Sequence, residues 1–482
     1  MTPLDSALLP VLQWTCLICF VYLLGANSLH LTMLLVGTVE NALRRRESRA
    51  EDFETLSLSR FTIPVSVLAP AYNEEPIVSA CVRSLLDLDY PQLEVIVVND
   101  GSTDGTLEVL KREFDLYPLQ IFYRRIIPTR EVRAVYRSAR DGRLLVVDKA
   151  NGGKADALNC GVNLARYRYV CCVDSDSIYT RDALLKGMRL AVKDPARVIG
   201  MTSHITVSEQ PETAYEADSG RIRLSPRPFF NFQHLDYLRS FLASRLAWSR
   251  FRFMLSTTGV FSIWRRDVVE ELGGFSTRFT CEDIEMTFRA HHRFLRARRP
   301  YAILSLPDNV AFTEGPDRLS SLIAQRARWQ RVIDETVWHY RSMIFNPRYG
   351  AVGLVGLPYY VFYEVLAPVF EFLALASLVL AWWLGALDWK LFLLYLGTVS
   401  FLNGVLTNGA LLLQEQSSQS YSLSHLCGLM ILGATEFIAY RPLLFYARLK
   451  GTWGFLKGDK RWHKFERNHR HGKLLPAPGE SP

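Results

Sequence analysis

Gln325, Arg328 and Trp329 stand at i, i+3 and i+4 in the stretch Gln325-Arg326-Ala327-Arg328-Trp329-Gln330-Arg331, so a helix would carry all three on one face. That face offers a neutral hydrogen-bonder, a planar cation that grips phosphate oxygens in pairs, and an indole plate for a flat or weakly polar ligand. Its position just ahead of a long apolar tract suggests chemistry at a membrane surface, although an ordinary basic interfacial helix has the same composition. Upstream, Asp174-Ser175-Asp176 follows the apolar run Tyr169-Val170-Cys171-Cys172-Val173. Two carboxylates one residue apart at a strand end either grip a hard divalent cation that also binds a diphosphate, or are structural. In Thr280-Cys281-Glu282-Asp283, a carboxylate is either a general base or an acid of a helix first turn. Asp100 ends a strand before Gly101-Ser102, where helix capping is the simple alternative.

The run from Asn151-Gly152-Gly153-Lys154 through Ala155-Asp156-Ala157-Leu158-Asn159 is a glycine-rich entry to a helix without P-loop spacing. Lys154 and Asp156 either orient a bound sugar nucleotide or cap that helix. The elements that must position these groups alternate. A strand over Pro64 to Pro70 leads to a helix from about Glu75 to Leu86. A second strand over Leu93 to Val98 leads to a helix from about Gly105 to Phe114, and Tyr169 to Val173 forms a third strand. Strands alternating with helices predict a doubly wound parallel sheet, in which ligands bind beyond the carboxyl ends of the strands. Phe229 to Phe253 carries Leu235, Leu238, Leu242 and Leu246 with Arg239, Arg245 and Arg250 between them. It reads as a helix lying on a membrane or packed on the sheet.

At 482 residues the chain exceeds one ordinary domain, and its 49% hydrophobic residues are unevenly spread. Residues 61–330 read as a soluble α/β region, whereas 8–39 and 351–447 are nearly free of Lys and Arg over membrane-spanning lengths. The net charge of +8 gathers in the connecting and C-terminal segments, which suits an anionic cytoplasmic leaflet and membrane lipids as partners. No basic stripe with interleaved aromatics stands clear of the apolar tracts, which argues against nucleic acid. The first apolar stretch lacks the flanks of a cleaved signal peptide, and Arg44-Arg45-Arg46 behind it predicts an outside N-terminus with the following region cytoplasmic. Cys16 and Cys19 form the one CxxC, inside that stretch, so reduced thiols are expected. Residues 40–60 read as a charged connector. Apolar segments near 351–366, 368–387, 390–413 and 423–447 give a working count of four crossings; the first is short, holds Pro358 and Glu364, and could lie in the interface. The expected divisions are 1–43, a transmembrane helix; 44–335, the catalytic domain; 336–448, interfacial and transmembrane helices; and 449–482, a basic cytoplasmic tail.

The combination of Ala69-Pro70-Ala71-Tyr72-Asn73-Glu74, Asn99-Asp100-Gly101-Ser102-Thr103-Asp104, the Gly152–Asn159 run, Asp174-Ser175-Asp176, Glu282-Asp283 and Gln325 through Trp329 resembles the processive family 2 glycosyltransferases. These are membrane enzymes related to cellulose, chitin, hyaluronan and poly-N-acetylglucosamine synthases. The resemblance covers residues 61–335 closely. It implies a GT-A-like, doubly wound, mostly parallel sheet domain in the cytoplasm, on a bacterial-type inner or plasma membrane, with an α-helical transmembrane region. It further implies that Tyr72, Glu74 and Asp100 hold the uracil and ribose of a UDP-sugar, and that Lys154 and Asp156 line the donor pocket. Asp174 and Asp176 would bind the diphosphate and Mg2+ or Mn2+, and Asp283, with Glu282 beside it, would be the general base. Gln325 and Arg328 would approach the diphosphate, and Trp329 would be a platform for the acceptor.

The activity implied is inverting transfer of a hexose or N-acetylhexosamine to a growing β-linked polysaccharide, coupled to export, with room for an accessory subunit. Transfer of one sugar to a lipid is the alternative. A non-catalytic membrane scaffold is disfavoured, because every acidic position is present. The glycine-rich wording is most like the poly-N-acetylglucosamine branch, which puts UDP-N-acetylglucosamine first and UDP-glucose second. Ser256-Thr257-Thr258-Gly259-Val260-Phe261 departs from the Ser-Gly-Ala or Ser-Gly-Pro common in relatives, so the acceptor is the least transferable feature. Gly458-Asp459-Lys460-Arg461-Trp462-His463-Lys464 resembles the family's basic, Trp-containing lid region, or is a lipid-binding strip.

Overall fold

A computed structural model describes residues 3–49, 62–216, 221–416 and 419–458. Its strands are β1 (Val65–Ala71), β2 (Leu93–Asn99), β3 (Leu116–Pro118), β4 (Val132–Ser138), β5 (Leu144–Lys149), β6 (Tyr169–Val173), β7 (Ser177–Tyr179), β8 (Val198–Ser208), β9 (Tyr215–Glu216), β10 (Arg221–Ile222), β11 (Phe261–Arg265) and β12 (Ala302–Glu314). Ten of them form one sheet in the order β3-β4-β5-β2-β1-β6-β11-β8-β12-β7, and β9 and β10 form a separate ribbon. Side chains alternate across a strand, and the central strands are apolar on both faces. Val65, Val67, Val95, Val97, Cys171 and Val173 enter one core, and Leu68, Ile96, Val98, Val170 and Cys172 enter the other.

The GT-A-like doubly wound arrangement is present, with parallel pairing in the run β5-β2-β1-β6 and again between β8 and β12. β11 is antiparallel to both β6 and β8, and β3, β4 and β5 pair antiparallel at the other flank. The sheet is therefore mixed. The Val78–Leu86 and Thr106–Phe114 helices start slightly later than the sequence suggests. The reason is local: the Glu75 N–H donates to Asp104, and the Gly105 N–H donates to Glu75, so these residues lock two loops together instead of opening helices.

The first helix runs over Pro3–Arg49, 47 residues or about 70 Å at 1.5 Å each, into the region expected as a connector. Residues 50–60 of that connector, and the 459–464 part of the lid-like motif, lie outside the described residues. Leu8–Glu47, Val352–Trp383 and Trp389–Glu415 are long and apolar enough to cross a membrane, and the Leu423–Ala439 and Arg441–Leu456 helices form a pair bent by 50°. Where four crossings were expected after the α/β domain, the described residues hold two candidate spans and one bent pair. Segments 351–366 and 368–387 are one helical path, because Pro358 and Pro368 sit at the starts of helical turns and π-type turns over Val352–Gly356 and Val361–Val365 absorb the irregularity. The Arg441–Leu456 helix also continues across the expected boundary at 448.

The 229–253 region resolves into the Pro228–Leu238 helix, a π-helical segment Arg239–Arg245 and the Leu246–Arg250 helix. Leu235, Leu238, Leu242 and Leu246 are completely buried, in one cluster with Phe312 of β12 and with Leu406, Ala410 and Leu411 of the Trp389–Glu415 helix. The segment is the layer between sheet and apolar helices, so it is packed on the sheet and covered on its other side as well.

Candidate active site

Because β1, β2 and β6 are parallel neighbours, the loops that leave their carboxyl ends converge. The loop after β1 turns at Asn73, whose positive φ of 54° suits an asparagine. The Asn73 N–H donates to Ser102 Oγ (3.0 Å), the Thr103 N–H donates to Asn73 Oδ1 (2.8 Å), and the Glu74 N–H donates to Thr106 Oγ1 (2.9 Å). Tyr72 is half-buried and Glu74 buried in this joined pair of loops.

Beneath them lies Lys149, the last residue of β5 and completely buried. Its Nζ is 2.5 Å from both Asp100 Oδ1 and Asp156 Oδ1. Asp100 also accepts from the Gly152 N–H (3.0 Å) and the Gly153 N–H (2.7 Å), and Asp156 accepts from the Arg130 N–H (3.1 Å). Asp100 and Asp156 therefore fold the glycine-rich turn around one ammonium. Asp100 is not the cap of the following helix: Asp104 accepts from the Thr106 N–H there (3.0 Å). The sequence reading missed Lys149; its signal was a lysine closing the apolar run Leu144-Leu145-Val146-Val147-Asp148-Lys149.

The turn delivers Lys154 to a second cluster. Lys154 Nζ lies 2.6 Å from Asp174 Oδ1 and 3.1 Å from Glu282 Oε1, joining the carboxyl end of β6 to the first turn of the Glu282–Arg296 helix. Burial works against the Lys154 charge, but Asp174, Glu282 and Asp283 outweigh it and hold its pKa well above the usual value. Burial pushes the Asp174 carboxyl above its ordinary range; Lys154 opposes this and Asp176 adds to it. Asp176 is buried and accepts from Ser177 Oγ (3.0 Å). Gly259 closes the cluster. A Cβ there would lie 2.6 Å from Lys154 Nζ and 3.3 Å from Asp283 Oδ2, so any larger residue would have to displace the Lys154 ammonium from its present position. Asp283 spends Oδ1 on the Ile284 N–H (2.7 Å) and turns Oδ2 to this gap. The departing Ser256–Phe261 stretch is thus part of the site: Thr257 Oγ1 reaches the Asp283 carbonyl, and Thr258 pairs with Thr202.

Among the described residues no group of three or more His, Cys, Asp or Glu is arranged to hold a metal by itself. Asp174 and Asp176 offer two hard-oxygen side chains in a crowded, buried setting. That donor set fits Mg2+ or Mn2+, which take water and substrate phosphate as remaining ligands.

Gln325, Arg328 and Trp329 lie on the Leu319–His339 helix, all three half-buried on one face. Gln325 and Trp329 make no hydrogen bond or ring contact with the carboxylate cluster among the described residues. Trp329 instead faces Tyr237 (ring centroids 5.9 Å) and the Arg326 guanidinium (4.2 Å from its ring). Arg326, assigned no role from sequence, pairs with Asp236 at 2.9 Å; Asp236 pairs with Arg239 at 2.9 Å, and Arg239 reaches Glu436 at 3.3 Å in the bent helix pair. This chain of charges ties the Trp329 wall to the apolar helices.

Residues 63–331 match the family described as glycosyltransferase like family 2. The chain is 25% identical over 266 residues to poly-β-1,6-N-acetyl-D-glucosamine synthases of Staphylococcus epidermidis and Staphylococcus aureus strain COL, covering 55% of this chain and 53% of each relative. It spans about half the length of these curated relatives. Among solved structures, a mannosyltransferase of Pyrobaculum calidifontis in complex with GDP-Man and Mn2+ superposes with a TM-score of 0.49 at 20% identity, covering 87% of this chain and 99% of that one. With more than half of its residues inside the family match, the chain belongs to glycosyltransferase like family 2.

Proposed function

We propose that this protein transfers N-acetylglucosamine, or a related hexose, from its UDP-sugar to a growing β-linked polysaccharide at the cytoplasmic face of a membrane, with inversion at the anomeric carbon. The observation that carries this reading is the cluster in which Lys154 bridges Asp174 and Glu282 while Asp283 Oδ2 faces Gly259. In this reading Asp174 serves the diphosphate through a metal and Asp283 is the base, and the cluster supports having both within one site. The similarity to poly-β-1,6-N-acetyl-D-glucosamine synthases supports the choice of sugar, and Arg44-Arg45-Arg46 after the first apolar stretch supports the cytoplasmic side.

In this reading Tyr72 and Glu74 flank the uridine, and Asp100 and Asp156 act by holding Lys149 and the glycine-rich turn beneath it. Lys154 lies along the donor. A divalent cation held by Asp174 and Asp176 would offset the charge that grows on the leaving UDP. Gln325 and Arg328 approach the diphosphate, where a guanidinium stabilises the same charge. Asp283 takes the proton of the acceptor hydroxyl as its oxygen attacks the anomeric carbon. The bond from that carbon to the phosphate oxygen breaks on the opposite face, and its electron pair leaves with UDP. One displacement turns an α-linked donor into a β-linked product. Trp329 forms the acceptor wall, and the apolar helices that follow offer the product a way out.

Purified protein in lipid nanodiscs, given radiolabelled UDP-N-acetylglucosamine with Mg2+ or Mn2+, is expected to make long polymer retained by size exclusion. Label confined to a single sugar that partitions into organic solvent would replace the polymer reading with glycolipid synthesis.

A further inference from the structure

The Leu319–His339 helix, which carries Gln325, Arg328 and Trp329, is held at two places. At its carboxyl end the Thr280 N–H donates to Glu335 (3.2 Å) and the Tyr340 hydroxyl donates to Glu285 (2.8 Å), which ties it to the helix that opens with Glu282-Asp283. Alongside Trp329 the hold comes from elsewhere. Successive helical residues are rotated by about 100°, so Ala327, Gln330 and Asp334 lie on the face opposite Gln325, Arg328 and Trp329. The Arg441–Leu456 helix, which follows the last apolar helix, packs on that opposite face.

Gly451 permits the approach. A Cβ there would lie 2.4 Å from the Ala327 carbonyl oxygen and 2.7 Å from Gln330 Cβ. Neither atom is the free end of a flexible side chain, so the two helices would have to part by about 1 Å to restore an ordinary carbon–oxygen contact. On both sides of Gly451, side chains cross the seam. Arg448 Nε donates to Gln330 Oε1 (3.0 Å), and Thr452 Oγ1 donates to Asp334 (2.9 Å). Gln330 is 2% exposed, and its amide nitrogen lies 3.0 Å from both Asp334 Oδ1 and the Glu364 carbonyl. Arg448 Nη2 donates to that same carbonyl (2.9 Å). Three separate helical segments therefore meet at Gln330, the residue next to Trp329.

We propose that the Arg441–Leu456 helix sets the position of the Gln325–Trp329 face in the site, with Gly451 and Arg448 as positioning residues for acceptor binding. This rests on the reading of Trp329 as the acceptor wall. Neither residue touches substrate. Each acts through the backbone and Gln330 of the helix that carries Trp329, and a misplacement of about 1 Å far from the chemistry is enough to weaken a site.

The test uses the full chain in nanodiscs, saturating UDP-N-acetylglucosamine, and a β-linked N-acetylglucosamine pentasaccharide as acceptor. G451A is expected to raise the acceptor KM about fivefold, the scale of one weakened aromatic contact. G454A supplies the control on the same helix, because a Cβ there would lie 3.9 Å from Arg331 Cδ, an ordinary contact; its acceptor KM is expected to match wild type. R448K keeps the charge beside Glu364 but loses the planar fork that spans Gln330 and the Glu364 carbonyl, and is expected to raise the acceptor KM by a smaller factor. A G451A protein with a lowered thermal midpoint and an unchanged acceptor KM overturns the proposal, because a merely structural contact behaves that way. Equal acceptor KM changes in G451A and G454A also overturn it. If G451A does not fold, R448K decides: a raised acceptor KM supports the proposal, and an unchanged one overturns it. Absence of transfer by the wild-type chain would refute the transfer reading and this proposal with it, a result distinct from an active enzyme whose acceptor KM ignores Gly451 and Arg448.

Discussion

On the β1–β2–β5 side of the site, Asp100 receives Lys149 and two backbone N–H groups, and Asp156 receives the same lysine and the Arg130 N–H. On the side built by the 228–250 layer and the Leu319–His339 helix, Arg245 Nε and Nη1 and Gln325 Oε1 are buried with no partner. Both sides bury polar groups; the Asp100 and Asp156 carboxylates are satisfied internally, although Asn99 Oδ1 on the same side is buried without a hydrogen bond. A carboxylate already paired is pre-organised and shapes a pocket for a constant ligand, whereas a buried polar atom left open, at a cost of about 1–3 kcal/mol, waits for a group from outside. In the proposed reading the first side serves the nucleotide, the same in every turnover, and the second the acceptor.

The largest expected effect breaks the boundary between the two sides. Asp283→Asn should lower kcat about a thousandfold, within the range for loss of a general base, with UDP affinity by calorimetry unchanged; a parallel loss of UDP affinity would move Asp283 to the nucleotide side. Lys149→Met should leave Asp100 and Asp156 facing each other without a counter-charge and destabilise the fold by about 3–5 kcal/mol, read as a lower thermal midpoint. An unchanged midpoint would mean that the closed side is not closed by this lysine.

Asp334, between the Leu319–His339 and Arg441–Leu456 helices, gives a pH test of the second side. Burial raises its carboxyl from the usual 3.8 to about 6, against hydrogen bonds from Thr452 (2.9 Å) and Gln330 (3.0 Å). The folded state then holds the proton more tightly than the unfolded chain, so stability should fall as pH rises from about 4 to about 6, by about 3 kcal/mol. Asp334→Asn should flatten that slope in unfolding measured across this window, and a slope unchanged in the variant would contradict the assignment. The smallest effect is expected from Arg326→Gln, which removes the Asp236 pair and the guanidinium over Trp329. A loss of about 1 kcal/mol, or fivefold in transfer rate at fixed acceptor, is expected, with UDP affinity kept.

The convergence of the loops after β1, β2 and β6 was legible in the sequence for a physical reason. The residues concerned lie in short loops directly after apolar strands, and parallel pairing of β1, β2 and β6 makes loops distant in sequence into neighbours. Lys149 escaped because it closes β5, a strand recognisable only by its apolar run, and a terminal lysine there reads as exposed until its two carboxylate partners are known. The acceptor side was less legible. The arginines at 239, 245 and 250 look alike in sequence, and only tertiary packing gives two of them partners and leaves Arg245 without one. The apolar tract divides into four segments by sequence, but residues 352–383 form one helical path, because Pro358 and Pro368 occupy helix-start positions and π-type turns carry the chain between them.

The central claim is that the Lys154–Asp174–Glu282–Asp283 cluster drives sugar transfer from a UDP donor. The most direct measurement is UDP release by the purified chain, screened over UDP-N-acetylglucosamine and UDP-glucose with Mg2+, Mn2+ or chelator. The expected result is metal-dependent release that is fastest with UDP-N-acetylglucosamine, with one sugar transferred per UDP and release from Asp283→Asn slower by about a thousandfold. Release from neither donor in protein shown to bind UDP, or equal release from wild type and Asp283→Asn, would contradict it.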